Sequence, residues 1–201
     1  MGKACRSETP GSLSDAIDIN KQEAIIELES EQVITYPLET VWGVMRDKLP
    51  ELVPFLADVE SIEEVEREDQ GPGRVRLLNI WQAEKEAAPK VVRPFLTRKV
   101  LRWKDHAEWN EKDRTVNWSF ETIKFDKLFK CAGQNRFKRT SQGHTRLIIR
   151  GDLEIYPQHV PGVPRFLAKR IKPKIERFII KLVGTNLASL AKGIQDFLDQ
   201  A

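Results

Sequence analysis

The sequence is poor in the residues that staple or metallate small proteins, with two cysteines, Cys5 and Cys131, and three histidines among 201 residues. One thiol falls in an N-terminal tail and the other in an expected strand, which excludes a disulfide framework and a cysteine-based zinc site. A reducing compartment fits. No apolar run approaches the roughly 18 residues that a membrane span needs, and the N-terminus lacks the apolar core of a signal peptide. A soluble, cytoplasmic protein is therefore expected. The start Met1-Gly2-Lys3-Ala4-Cys5 places Arg6 where an acylation signal wants Ser or Thr. An excess of one charge is missing too: 33 basic residues against 30 acidic leave a net charge of +3, too little to point to nucleic acid.

What remains is enough for one domain with a sizeable core. Residues 1–22 are polar, hold Pro10 and Gly11 and show no sustained period, so they read as a flexible leader, and 23–201 as a single domain. Period-two alternation opens the domain, with Ile26, Leu28 and Ile34 on one face and Glu27, Glu29 and Glu31 on the other. Two short helices follow, Leu38 to Asp47 and one opened by Pro50. Val59 to Glu68 and Arg74 to Trp81 make a hairpin around Gly71-Pro72-Gly73. Gln82 to Pro94 reads as an excursion or lid.

The clearest strand pair carries Leu101, Trp103, Asp105, Ala107 and Trp109 on one face and Val116, Trp118, Phe120 and Thr122 on the face of its partner. For those faces to coincide, the connecting loop must have an even residue count. A last hairpin presents Phe129, Cys131, Gly133, Asn135 and Phe137 against Leu147, Ile149, Gly151, Leu153 and Ile155. From Lys172 to Ala201 apolar residues recur at helical spacing (Ile175, Phe178, Ile179, Leu182, Val183, Leu187, Leu190, Ile194), and Pro173 suits a first turn. Such a helix would extend about 40 Å and needs an equally long apolar partner, the face of a curved sheet.

The expected architecture is α+β, with strand, two short helices, about six antiparallel strands and one long C-terminal helix. In this order, and in Tyr36-Pro37-Leu38-Glu39-Thr40-Val41-Trp42, Gly71-Pro72-Gly73-Arg74-Val75-Arg76 and the closing helix, the chain resembles the START-like superfamily. That superfamily is also called SRPBCC or helix-grip, and it includes Bet v 1-like and polyketide cyclase-like proteins. The resemblance covers about residues 23 to 200. It implies a curved antiparallel sheet wrapped around the long helix with a mostly apolar cavity between them. The residues agree independently, because both faces mix large aromatics with small or polar side chains, as a ligand pocket does and a close-packed core does not.

The residues expected at that cavity are Trp81, Trp103, Asp105, Trp118, Phe120, Cys131, Phe178, Leu182 and Asn186, with Asp105 and Asn186 as polar handles. The tryptophans either stack on a flat ligand or simply fill the core. Asp105 either binds a ligand hydroxyl or serves as a general base; a register slipped by one residue would put it in water. His106 should point outward from the same strand. The expected partner is a hydrophobic small molecule or lipid, bound or transported without cofactor or metal. One alternative is a polyketide cyclase- or dehydratase-like enzyme using Asp105, against which stands the lack of a second catalytic group on that face. Another is a protein or membrane interaction module using the basic stretch 165–181, where Lys169, Arg170 and Lys174 would meet an anionic surface.

Overall fold

A computed structural model describes residues 25–90, 93–95, 98–99, 101–123, 129–156 and 165–201, the side chains of 95, 165–172 and 175 excepted. The leader expected at 1–22 and residues 157–164 of the linker lie outside the described residues. The alternation of glutamates with apolar residues forms β1 (Ile26–Ile34), whose inner positions are covered and outer ones exposed. It pairs with β7 (Thr145–Ile155), at one edge of a seven-stranded antiparallel sheet ordered β1-β7-β6-β5-β4-β3-β2. The other strands are β2 (Val59–Asp69), β3 (Arg74–Ala83), β4 (Arg102–Asn110), β5 (Thr115–Thr122) and β6 (Phe129–Arg139).

Because β1 and β2 are consecutive strands at opposite edges, the chain between them must cross the whole sheet. Helix α1 (Leu38–Asp47) and a 3-10 helix at Leu49–Phe55 make that crossing. Val41, Trp42, Val44 and Met45 of α1 are buried. Trp42 meets Trp109 of β4 edge-on at 4.8 Å and Phe137 of β6 at 5.1 Å, which fixes the helix to the sheet. The second short helix is 3-10 rather than α: Pro50 and Pro54 lie within it, and each removes a backbone donor.

The hairpins turn where the sequence places them. Gly71 and Gly73 have φ of 102° and 70°, the left-handed region where a side chain is strained. Between β4 and β5 the register pairs Asn110 with Thr115, so residues 111–114 form the loop, and its even length puts both aromatic faces on one side. The expected excursion starts later than the sequence suggests, since β3 continues to Ala83. Gln82 is buried there and donates to the carbonyls of Ala83 and Leu101.

The long helix, α2 (Arg165–Asp199, 35 residues), begins a full two turns before Lys172. Pro173 is therefore inside the helix and not in its first turn. A proline there lacks a donor and crowds the carbonyl four residues back, yet the helical period already present in Phe166, Leu167 and Ile171 runs through it. The C-terminal end of α2 is fastened to the end of β1 and the residues just after it. Gln32 donates to the carbonyl of Ala188 at 2.5 Å, Thr35 N–H to Gln195 Oε1 at 2.8 Å, and Tyr36 hydroxyl to Asp199 Oδ1 at 2.9 Å. Gly193 lets this part of the helix lie on the 3-10 helix, where a Cβ would come 3.1 Å from the Phe55 carbonyl oxygen. Among the described residues, no helix is long and apolar enough to cross a membrane.

Candidate functional site

Strand alternation aims Asn79 and Trp81 of β3, Trp103, Asp105 and Ala107 of β4, and Trp118 and Phe120 of β5 at the same side of the sheet. Register then decides the neighbours. Asn79, Asp105 and Phe120 lie abreast across three strands, and Trp81 and Trp103 are abreast one step along. The two indoles stack with centroids 5.9 Å apart and planes 19° apart. Phe120 stacks on Trp118 at 4.9 Å and stands 6.3 Å from Trp103. Asp105 is thus set in an aromatic wall.

One residue of that wall has a purpose-made seat. Gly133 and Gly151 face each other across β6 and β7, and the Trp118 ring occupies the space their side chains would fill. A Cβ on Gly133 would come within 2.5 Å of Trp118 Cζ2, and one on Gly151 within 2.8 Å of its Cη2. The indole nitrogen donates to Asn135 Oδ1 at 2.8 Å. The paired glycines let a large ring lie low against the sheet.

Opposite the wall, α2 presents Phe178, Ile179, Leu182, Val183, Asn186 and Leu187. Sheet and helix do not close on each other. Between them lies a cavity with about 100 Å³ open to the centre of a water molecule, inside an atom-free envelope of about 1200 Å³ that includes its mouth. Since a single water needs roughly 10–15 Å³ on the first measure, the space holds far more than one. Its walls are almost entirely apolar.

The few polar groups there are incompletely partnered. Asp105 Oδ2 accepts from Trp81 Nε1 at 3.2 Å and, weakly, from Asn79 Nδ2 at 3.4 Å, while Asp105 Oδ1 is buried with no partner. Asn186 Nδ2 donates to the Leu182 carbonyl at 2.7 Å, and its Oδ1 is left without one. Trp103 Nε1 and Trp109 Nε1, on residues that also line the cavity, are buried and unpartnered as well. Burial pushes the Asp105 carboxyl up to about 6, against the lowering pull of the Asn79 and Trp81 hydrogen bonds and of nearby His106.

Eight of the nine residues expected at the cavity line it: Trp81, Trp103, Asp105, Trp118, Phe120, Phe178, Leu182 and Asn186. Cys131 does not. It is buried abreast of Phe120 and Leu153, and its thiol is pushed up to about 12, mainly by burial. His106 projects to the opposite face, where its ring meets Glu121 at 3.2 Å. Lys174 is exposed, whereas the side chains of Lys169 and Arg170 lie outside the described residues.

Asn79, Asn135, Met45 and Leu49 line the cavity without having been expected there, and Trp109, one of the tryptophans expected either to stack on a ligand or to fill the core, lines it too. Asn79 and Asn135 were visible as polar members of apolar alternations. Among the described residues no group of three or more His, Cys, Asp or Glu side chains gathers as a metal site would.

No protein-family model matches the sequence, and no curated protein matches it either. Solved structures do. A protein from Thermus thermophilus is 24% identical and superposes with a TM-score of 0.59, covering 87% of this chain and 98% of its own. The Zhui aromatase/cyclase from a Streptomyces species is 12% identical, with a TM-score of 0.63 over 88% of this chain and 95% of its own. Norcoclaurine synthase from Thalictrum flavum, in complex with dopamine and hydroxybenzaldehyde, is 15% identical, with a TM-score of 0.55 over 96% and 98%. At such identities the likeness speaks for architecture. The seven-stranded sheet closing on one long C-terminal helix is the helix-grip fold.

Proposed function

We propose that the chain binds and carries a hydrophobic small molecule in the cavity between the sheet and α2. The observation behind this reading is the clustering of buried, unpartnered polar atoms, Asp105 Oδ1, Asn186 Oδ1, Trp103 Nε1 and Trp109 Nε1, on residues that line an otherwise apolar space. Each such atom costs a folded protein about 1–3 kcal/mol when nothing satisfies it, and native interiors hold few of them. Four on residues around one void make sense if an occupant supplies missing partners. That occupant has an apolar body, a hydrogen-bond donor for the two oxygens and an acceptor for an indole N–H. The similar norcoclaurine synthase holds dopamine and hydroxybenzaldehyde, which supports an occupant of one or a few rings over a long lipid chain.

Native mass spectrometry of the purified protein tests this. A co-purified compound released by denaturation is the expected result. A bare chain that also takes up no apolar fluorophore would refute the carrier reading.

A second reading has its own observation. A carboxyl that titrates near pH 6 inside a pocket is suited to moving a proton, as an acid or base in a cyclase- or dehydratase-like reaction would. No other ionisable side chain lines the cavity among the described residues, so Asp105 would work alone. Under this reading Asp105→Asn abolishes turnover of a candidate substrate; under the carrier reading it changes only affinity.

A further inference from the structure

We infer that the occupant is an organic cation, a compact ring-bearing amine whose protonated nitrogen sits at Asp105 Oδ1 among Trp81, Trp103 and Phe120. This rests on the reading that the cavity takes a ligand, and it names the class.

Charge is the first ground. Asp105 is the one ionisable side chain among the described residues of the cavity wall, so its ionised form has no counter-charge there. The groups that face it are all neutral. From β3 come Asn79 and Trp81, from β5 Phe120 and Trp118, and from its own strand Trp103 and Ala107, while α2 brings only uncharged side chains, among them Leu182 and Asn186, to the same cavity. The nearest titratable neighbour, His106, is on the outer face against Glu121, which Lys104 also approaches. Both existing hydrogen bonds reach Oδ2, while Oδ1 has no partner and is closed off in the empty protein, so a guest that pairs with it must first part the side chains that cover it.

The second ground is the wall itself. Three aromatic residues lie directly around the carboxyl, two of them stacked indoles and one of these bonded to it. Aromatic faces attract cations, tryptophan most of all, and the attraction grows when water is excluded. A neutral hydroxyl would satisfy the hydrogen bond and leave the buried charge uncompensated. An ammonium satisfies both, and a buried ion pair is favourable only where such hydrogen bonding is in place.

The full chain can be tested by isothermal titration with 2-phenylethylamine and its neutral counterpart 2-phenylethanol, which share a ring and a two-carbon arm. At roughly pH 7.5 the amine should bind at least about tenfold more tightly, the size expected for a compensated buried charge. The ammonium stays protonated at both roughly pH 7.5 and roughly pH 5, so of the two paired groups only Asp105 changes its protonation between them. Because the cation needs the carboxylate, a group with a midpoint of about 6 predicts amine affinity about tenfold weaker at the lower pH, with the alcohol unchanged. The isosteric Asp105→Asn variant should bring the amine down to the alcohol's affinity. The pH contrast on the unaltered protein gives the same answer if that variant does not fold.

Equal or tighter binding of the alcohol near neutral pH, or amine binding that ignores both pH and Asp105→Asn, overturns the amine assignment while leaving the cavity occupied and the carrier reading intact. If neither probe binds, the amine assignment also falls, and the carrier reading is judged separately by the co-purified compound.

Discussion

Replacing Asp105 with asparagine should make the empty protein more stable near neutral pH, against the usual outcome of altering a buried residue. Asp105 is 6% exposed, and its carboxyl is displaced from 3.8 to about 6. Below about pH 3.8 it is protonated in folded and unfolded chains alike, and its burial involves no charge. As pH rises towards 6 the unfolded chain loses the proton while the native state keeps it, so stability falls. Above about 6 the whole loss is present, about 3 kcal/mol for a displacement of this size.

Asparagine keeps an oxygen for the Trp81 and Asn79 donors, but its amide nitrogen takes the place of the unpartnered oxygen and costs about 1–2 kcal/mol of its own. The net expectation is a gain of about 1–2 kcal/mol near pH 7.5. The difference between the two proteins should move by about 2 kcal/mol between roughly pH 4 and pH 7.5. Urea unfolding with linear extrapolation resolves this. An asparagine variant less stable than the parent near neutrality, by an amount that does not change with pH, would show that no strained carboxylate is buried there.

The seat of Trp118 makes a harsher test. Gly133→Ala would put a methyl 2.2 Å from the Arg150 carbonyl oxygen and 2.5 Å from the indole, and since backbone cannot step aside the expected loss is about 3 kcal/mol by chemical denaturation. A variant as stable as the parent would mean that the ring does not rest there. The two glycines of α2 should behave oppositely: Gly184→Ala meets nothing within 4 Å and should gain about 1 kcal/mol from helix propensity, whereas Gly193→Ala presses on Phe55 and should gain nothing. Equal gains would contradict the close packing. Cys131, buried with its thiol raised to about 12, should resist iodoacetamide near pH 8 until the chain unfolds. Peptide mapping that finds rapid native labelling at Cys131 would contradict that burial.

Much of the cavity wall was legible because it is written in period two. Trp103-Lys104-Asp105 and Trp118-Ser119-Phe120 alternate so cleanly that the parity of one loop settles which residues share a face, and the loop at 111–114 has the required even count. What alternation does not encode is the offset between strands. Nothing in the sequence says that Asn79 lies abreast of Asp105 or that Trp81 reaches its Oδ2, since those follow from the register of β3 on β4. The same gap explains Cys131: it is on the correct face of β6, but two strands away from Asp105, and Phe120 stands between. The early start of α2 was hidden for another reason. A proline is so much more at home in a first turn that Pro173 reads as a beginning, and only long-range packing overrides that preference. The unpartnered atoms of the cavity were beyond any reading of the sequence, because a missing hydrogen bond is a property of three dimensions.

The stacked pair Trp81 and Trp103 has one more consequence. Two indoles held this near and this close to parallel share their electronic excitations, so their absorption is a joint property that depends on separation and tilt. A guest pressing against either ring alters that coupling, and near-ultraviolet circular dichroism of the unlabelled protein becomes a direct optical gauge of whether the chamber is full.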